Sequence, residues 1–164
     1  MKMRDIKMDK IVLSISDVGE ALDRGVKLLE SITGKKAIKM ASKKRIPSLG
    51  VKPGLEVGCL VTLRGKQAED MLGRLLASVD NKLGRKQISE NSFSFGIKEY
   101  IEIPGMAYQR DIGIMGLDVS VAFVRAGKRV VIKKIKRGRL PKKQRVSREE
   151  IIAFMENKFN AKMG

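Results

Sequence analysis

Residues 119–148 contain twelve Lys or Arg and no Asp or Glu, whereas the whole chain of 164 residues has 35 basic and 18 acidic residues. This segment therefore carries +12 of the formal net charge of +17. Lys and Arg side chains bind phosphate oxygens, and charge of one sign concentrated in this way is usually kept for a partner. The segment predicts a strongly anionic partner, of which a nucleic-acid backbone is the usual one. A solvated charged surface is the alternative, although such surfaces normally carry both signs.

Residues for metal-dependent or nucleophilic catalysis are scarce. The chain has no histidine and one cysteine, so the commonest general base and the usual zinc ligand sets are missing. Cys59 lies in an apolar run, which predicts a buried thiol and not a reactive one. No glycine-rich phosphate loop of the G-x-x-x-x-G-K-[ST] type occurs. The sequence predicts a binding protein without a cofactor or a metal, and not an enzyme.

The composition also indicates a compartment. A single cysteine excludes an intramolecular disulfide framework and suits a reducing environment. No apolar run approaches the ~20 residues that a membrane helix needs, and the first ten residues lack the apolar core of a signal peptide. The basic segment has no sustained apolar helix face, so membrane-surface binding is not favoured. We therefore expect a soluble, cytoplasmic protein with no membrane partner.

Alternation of apolar and polar residues predicts several strands. The clearest spans 55–63, where Val57, Cys59 and Val61 are among the apolar residues at every second position. Further strands are predicted over 10–15, 37–40, 93–103 and 117–123, with a return strand through Val130 and Ile132 after a turn at Ala126 and Gly127.

Apolar residues at helical spacing predict three helices, each with a recognisable boundary. Asp17, with Glu20 three residues later, resembles a capping box at the start of the first helix, and Ser147 with Glu150 resembles one at the start of the last. Glycines at 34 and 84 are expected to end the first two helices. The predicted spans are 17–33, 68–83 and 147–159.

The order of these elements predicts the fold class. Strands joined by hairpin connections, with few helices, favour an α+β protein in which an antiparallel β-sheet has helices packed on one face, a ferredoxin-like or RRM-like sandwich. The length suits one domain, 1–164. A basic loop over 41–54 and a basic C-terminal hairpin or extension over 125–146 are expected to project from it.

The aromatic content decides which nucleic acid is favoured. Aromatic residues make up 4% of the chain and Trp is absent, whereas single-strand binders stack bases on aromatic side chains. The aromatic signature of an RNA-recognition sheet is missing, and no helix-turn-helix spacing argues for duplex DNA. We therefore expect contacts to the phosphates, the 2′-hydroxyls and the shape of a structured RNA.

Three collinear motifs make the prediction more specific. Residues 32–65 begin with Ile-Thr-Gly-Lys-Lys, continue through the basic loop and end with Val-Thr-Leu-Arg-Gly. Residues 91–104 and 116–121 supply the other two motifs. Together they resemble the large-subunit ribosomal protein L5 family, whose pattern is I-[ST]-G-Q-K-P, a basic loop, then G-x-P-I-G-x-x-V-T-L-R-G. The short N-terminus and the basic C-terminal segment resemble the archaeal branch of that family.

The resemblance implies a structural constituent of the large ribosomal subunit. Members of the family bind 5S rRNA and adjacent 23S rRNA in the central protuberance, beside other proteins of that region. They also contact a small-subunit protein across an intersubunit bridge and, through the basic loop, the peptidyl-site (P-site) tRNA. A free RNA-binding or RNA-chaperone protein is the alternative function.

Some rRNA-contacting positions of the family are matched in this chain. Lys10 matches the Lys of the first strand, and Thr62 matches the Thr of V-T-L-R-G. Lys52 matches the basic residue that follows the loop aromatic. By the resemblance these three residues are candidate rRNA contacts.

Three other family positions differ in this chain. Ser14 replaces the Asn of the first strand, Lys35 replaces the Gln that follows the glycine, and Leu49 replaces the loop Phe. Fixed donor and acceptor pairs are thereby lost while one charge is added, so we expect this 5S rRNA contact to depend more on phosphates.

The remaining candidates are cations in two segments. In the basic C-terminal segment the candidate rRNA contacts are Lys133, Lys134, Lys136, Arg137 and Arg139, and the sequence leaves open which rRNA they meet. In the loop the candidate tRNA contacts are Lys43, Lys44 and Arg45. Three consecutive cations cannot share one face of a strand, so we expect them at an exposed tip whose base is shaped by Pro47, Pro53 and Gly54.

Overall fold

The computed structural model describes residues 4–164. The strands are β1 Ile6–Ile15, β2 Ile38–Ala41, β3 Glu56–Leu63, β4 Lys82–Leu83, β5 Ile88–Ser89, β6 Ser92–Ile97, β7 Leu117–Arg125 and β8 Lys162–Met163. The α-helices are α1 Glu20–Thr33, α2 Lys66–Ala77, α3 Arg129–Ile132 and α4 Arg148–Phe159. Short 3-10 turns lie at Pro47–Leu49, Arg85–Gln87, Tyr100–Glu102 and Lys142–Gln144.

Six strands form an antiparallel sheet in the order β2-β3-β1-β7-β6-β5, and β4 and β8 pair in parallel as a separate ribbon. In the β2–β3 pair, Ile38 lies opposite Leu60 and Met40 lies opposite Gly58. A β-bulge between Met40 and Ala41 precedes the loop. The predicted α+β class with an antiparallel sheet is confirmed.

Strict alternation of burial shows which side of each strand packs into the core. In β3, Val61 and Leu63 are 3% and 1% exposed, whereas Thr62 between them is half-exposed. The same alternation runs through residues 10–15 of β1, through β6 and through β7 as far as Phe123. Since successive side chains of a strand point to opposite faces, each of these strands has one core side and one open side.

Packing divides the described chain into two compact units. The central unit contains Val12–Leu63 and Gly96–Val119, and the terminal unit contains the described residues up to Ile11, Arg64–Phe95 and Ser120–Gly164. The prediction of one RNA-binding domain over 1–164 stays a prediction.

In the central unit, α1 packs closely on the core side of the strands. A Cβ atom on Gly25 would lie 3.2 Å from Ile15 Cγ2 and 3.4 Å from Cys59 Sγ, so the missing side chain lets the helix approach. Cys59 is 2% exposed, and burial raises the pKa of its thiol. The prediction of a buried structural thiol is confirmed.

In the terminal unit, the core is an aromatic cluster. The Phe123 ring of β7 stacks on that of Phe93 with centroids 5.8 Å apart, and Phe154 of α4 meets it edge-on at 5.5 Å. Offset and edge-on ring pairs add stability beyond the area that they bury. The helix α4 therefore packs on the core side of β7, as the one-face arrangement predicts.

The boundaries of α1 and α4 test the capping predictions. Ser147 Oγ accepts a hydrogen bond from the Glu150 amide while the Glu150 carboxylate accepts one from the Ser147 amide, so this capping box is confirmed. The box predicted at Asp17 is wrong, because α1 begins after Gly19 without a side-chain cap. Gly34 ends α1 in the left-handed region, as predicted.

The second helix is shorter than predicted. It ends at Ala77, and Asp80 and Asn81 have φ of 54° and 56°, which breaks the helical path. Leu83 is buried in the ribbon strand β4 and not on a helix face. The apolar residues keep helical spacing through this turn only by chance. Such spacing shows which residues are buried, but not whether a helix or a strand buries them.

Two strand predictions are also wrong. The strand expected over 93–103 ends at Ile97, and Tyr100 begins a 3-10 turn in which its hydroxyl accepts a hydrogen bond from the Gln109 amide at 2.9 Å. The return strand through Val130 and Ile132 is instead the short helix α3. Since β7 already has β1 and β6 as neighbours, it has no free edge for a hairpin partner.

Candidate nucleic-acid interface

The open sides of β1 and β3 carry the strand candidates. Lys10 and Ser14 are half-exposed residues of β1 that alternate with buried neighbours. Thr62 has the same place in β3. Each of these three side chains therefore lies on the open side of its strand, where an external partner can reach it.

In the central unit, the open side of the strands also carries apolar side chains. These residues were not among the candidates predicted from the sequence. Ile38 and Met40 of the edge strand β2 are 62% and 47% exposed, and Leu60 opposite Ile38 is half-exposed. Their positions at every second residue of the predicted strands could have indicated that they share this side. This surface therefore offers apolar contact beside the polar residues Ser14 and Thr62.

Lys39, between Ile38 and Met40, points to the other side. Its Nζ lies 2.8 Å from Asp23 Oδ1 of α1 and 3.0 Å from Glu56 Oε2. The hydrogen bond to Asp23, followed by that to Glu56, raises the pKa of Lys39 to about 12. The charge of this lysine is thus engaged inside the unit.

The loop between β2 and β3 is a narrow hairpin. The amide of Ser42 donates to Leu55 O at 2.8 Å at its base, and Ile46 and Val51 exchange hydrogen bonds of 2.9 and 3.1 Å farther out. Beyond them the 3-10 turn Pro47–Leu49 and Gly50, with φ of 65°, reverse the chain. The tip of the loop is therefore 47–50.

This geometry corrects the expected layout of the loop. Lys43, Lys44 and Arg45 are exposed, but they lie on the ascending arm and not at the tip. Pro47 begins the tip turn and does not shape the base, since a proline fits the first position of a 3-10 turn.

Three other candidates lie elsewhere in the central unit. Leu49 at the tip is 73% exposed, and Lys52 is exposed on the descending arm. Lys35 is also exposed, directly after the end of α1, and the Thr33 hydroxyl fixes its backbone. All of these residues belong to the central unit.

Residues 126–147, the part of the acid-free stretch 119–148 between β7 and α4, lie in the terminal unit and are called the basic segment below. Lys133, Lys134, Lys136, Arg137 and Arg139 are all exposed, as binding of an external anion requires. The segment is fixed near its ends, where Gln144 Nε2 donates to Ala126 O at 2.8 Å and the Val146 amide donates to Asn91 Oδ1 at 2.8 Å.

Within the described residues, three of the twelve cations of 119–148 form ion pairs with acids from elsewhere in the chain. Arg125 pairs with Glu150, Lys128 Nζ lies 2.6 Å from Asp9 Oδ2, and Arg145 Nη1 lies 2.9 Å from Glu90 Oε2. These pairs reduce the charge that the segment presents to a partner. No sequence signal could have identified them, because the partners are distant in the chain.

Within residues 4–164, no helix has the length and apolar character of a membrane span. The same residues hold no cluster of three or more metal-ligating side chains of the His, Cys, Asp or Glu type.

Comparison with known proteins decides the family. A sequence model of the C-terminal part of the ribosomal L5 protein family matches residues 56–154. The protein named large ribosomal subunit protein uL5 of Methanoregula boonei is 35% identical over 164 residues, covering 98% of this chain and 99% of that protein. The chain belongs to the ribosomal L5 family.

Other L5 proteins of archaea are similarly close. The protein of the same name from Sulfurisphaera tokodaii is 38% identical over 96% of this chain and 92% of its own length. That of Nanoarchaeum equitans is 38% identical over 98% and 97%. The match to the L5 family model begins at the start of β3, so it does not include Lys10 or the loop cations. The similarity to the relatives extends over nearly the whole chain and includes them.

Proposed function

We propose that this L5-family protein is a structural constituent of the large ribosomal subunit that binds 5S rRNA and adjacent 23S rRNA in the central protuberance. The observation that carries the proposal is the exposed, acid-free run of cations in segment 126–147 of a folded domain. The full-length similarity to archaeal proteins named large ribosomal subunit protein uL5 supports it. The protein is not an enzyme, and its expected place is the cytoplasmic ribosome.

Sedimentation of the untagged protein through a sucrose gradient tests the proposal. A ribosomal constituent travels with large subunits at stoichiometric level and stays there in a gradient of moderate salt. A free RNA chaperone, the alternative function, remains in the light fractions or leaves the subunit as soon as it is washed. Recovery in the light fractions, or loss from the subunit on washing, contradicts a structural role.

The open-side residues of β1 and β3 are the proposed 5S rRNA contacts. In the terminal unit, Lys10 supplies a charge for a phosphate. In the central unit, Ser14 and Thr62 supply hydroxyls for a phosphate or a 2′-hydroxyl. The exposed apolar residues of the central unit, Ile38 and Met40, offer a surface for ribose or base faces. Such a mixed surface suits a structured RNA, in which backbone and sugars are presented together.

Replacing Lys10 or Thr62 by Ala is expected to weaken 5S rRNA binding while the fold is kept. Loss of one charged or polar contact costs about 1–3 kcal/mol, which corresponds to a roughly 5- to 150-fold rise in Kd. Filter binding at fixed salt measures the change, and circular dichroism checks the fold.

Lys27→Ala is the matched control, since Lys27 is an exposed lysine of α1. It should change the Kd far less than Lys10→Ala. If both Lys10→Ala and Thr62→Ala bind like the unaltered protein with intact dichroism, the RNA uses another surface.

The loop between β2 and β3 is the proposed contact to P-site tRNA. It extends from the sheet as a two-armed hairpin with exposed cations on both arms and an apolar tip at Leu49. Compared with the family pattern, Ala41 stands where a basic residue is usual and Arg45 where Ser or Thr is usual. The number of charges is kept while their order changes, which suits contact with a sugar-phosphate backbone. A bridge to a small-subunit protein and contacts to other central-protuberance proteins are further proposals from the family.

Replacing Lys43, Lys44 and Arg45 together by Ala is expected to weaken tRNA retention in the P site and to leave isolated 5S rRNA binding nearly unchanged. The salt slope of tRNA binding should fall by about 0.9 for each phosphate that the variant no longer neutralises. Reconstituted subunits with labelled tRNA provide the measurement.

A variant with Lys133, Lys134 and Lys136 replaced by Ala removes the same charge from the terminal unit. It is expected to show the opposite pattern, with weaker rRNA binding and normal tRNA retention. If the loop variant loses 5S rRNA and holds tRNA normally, the assignment of the loop is wrong.

A further inference from the structure

A cleft lies in the terminal unit between the strands and the basic segment. Its volume is about 660 Å³, within the range of small-ligand sites. Ser92 of β6 and Ala122 and Val124 of β7 line one wall from the open side of their strands, and Val131 and Leu140 of the segment add to the apolar lining. The cleft is thus an apolar slot covered by a basic segment.

The charged lining of this cleft has one sign. Five of its fourteen lining residues are cations, Arg125, Lys128, Arg137, Arg139 and Arg145, and none is acidic. Arg125, Lys128 and Arg145 pair with acids outside the lining, so the charge for a ligand comes from Arg137 and Arg139. Arg137 and Arg139 are exposed, so they can reach a ligand at the mouth. A guanidinium can bind a phosphate by two parallel hydrogen bonds and can also stack on a base.

Polar groups inside the cleft include both a donor and an acceptor. Asn91 Oδ1 accepts from the Val146 amide, so the Nδ2 group of Asn91 is a donor that this contact does not use. Gln144 Nε2 donates to Ala126 O, so its Oε1 is an acceptor that this contact does not use. These backbone partners fix which end of each amide is which.

Arg125 adds an unsatisfied donor. Its side chain is 11% exposed and pairs with Glu150 through Nη2, but its buried Nε has no hydrogen-bond partner among residues 4–164. Buried polar groups without a partner are rare in folded proteins. The Nη1 and Nη2 of Arg125 donate to Lys143 O and to the Glu150 carboxylate, neither of which lines the cleft, so Arg125 contributes to the wall and not to the ligand contacts.

We propose that the cleft binds one unpaired nucleotide of the bound RNA, with its base between the apolar walls and its phosphate at Arg137 and Arg139. A bare phosphate needs donors alone and no apolar slot, whereas a base edge needs both the donor of Asn91 and the acceptor of Gln144. A paired base is stacked inside its helix and its Watson–Crick edge is occupied, so it cannot enter the slot. The proposal rests on the proposed RNA-binding function and adds recognition of an extruded base to it.

The test uses the full chain and two short RNA hairpins that differ only in one bulged nucleotide. The bulged hairpin is expected to bind roughly tenfold tighter than the fully paired one, which corresponds to about 1.4 kcal/mol of added contact between the base and the slot. Adenosine monophosphate is expected to compete with the bulged hairpin, and inorganic phosphate at equal concentration is not.

Two variants locate the preference. Ala122→Phe fills the slot and keeps every charge, so it should abolish the preference while binding of the paired hairpin is retained. Arg139→Ala removes a lining cation and should weaken the bulged hairpin more than the paired one. Arg129→Ala removes an exposed arginine that does not line the cleft, and it should weaken both hairpins equally.

Each contrary result has a distinct meaning. Equal binding of both hairpins, or a preference that survives Ala122→Phe and Arg139→Ala, overturns the cleft proposal and leaves RNA binding intact. The cleft proposal is also overturned if inorganic phosphate competes as strongly as adenosine monophosphate. The same holds if an oligo-glutamate peptide alone displaces the bulged hairpin. Binding to neither hairpin at low salt contradicts the proposed function itself.

Discussion

The affinity of the protein for 5S rRNA is expected to fall by roughly three orders of magnitude when salt rises from about 50 to 200 mM, if about six phosphates are neutralised. The reason is the release of counterions from each phosphate that a Lys or Arg contacts. The exposed residues of the terminal unit proposed for most of these contacts are Lys133, Lys134, Lys136, Arg137 and Arg139. A titration of Kd against salt by filter binding or fluorescence anisotropy gives the slope.

The control for this prediction is a charge variant of the same segment. Replacing Lys133, Lys134 and Lys136 by Gln should lower the slope by up to about 2.7, or about 0.9 for each phosphate that is no longer neutralised. The ion-paired Arg125 and Lys128 are kept, so the fold should not change. A nearly flat titration of the unaltered protein would contradict recognition through phosphates.

Phe123→Ala is expected to lower the free energy of unfolding by about 3–5 kcal/mol. Phe123 is 1% exposed and its ring contacts those of Phe93 and Phe154, so the truncation leaves a cavity that neighbouring rings cannot fill. The melting temperature should fall by roughly 6–20 °C for a chain of this size. Urea denaturation followed by circular dichroism measures the change.

Phe154→Ala is the matched control, because Phe154 belongs to the same cluster but is half-exposed. Its cost should be clearly smaller than that of Phe123→Ala, since less apolar area leaves the core. Equal costs for the two variants would show that the cluster does not organise this core. Each variant should still bind RNA below its melting temperature, because neither substitution removes a cation.

The sequence by itself determined the elements whose signals are local. Alternation in 55–63 predicted β3, because burial of one strand face requires that period. The capping box of Ser147 and Glu150 and the glycine at 34 located helix boundaries, since both act through hydrogen bonds and φ angles of neighbouring residues. The family motifs then predicted the candidate contacts by resemblance.

Only the tertiary structure decided which element certain apolar residues belong to. Leu83 has helical spacing but lies in β4, and Val130 has strand character but lies in α3, because β7 has neighbours on both edges. The positions of the loop cations on an arm and not at the tip depend on the Ile46–Val51 pair. Such results depend on which segments meet, and local propensity does not encode that.

The charge of the basic segment shows the same division. Composition determined that residues 119–148 are acid-free. Lys128 meets Asp9, which is 119 residues away in sequence, and Arg145 meets Glu90 from 55 residues away. The folded chain brings these distant acids to the segment, so the three-dimensional structure, and not the run of cations, decides which charges are available to RNA.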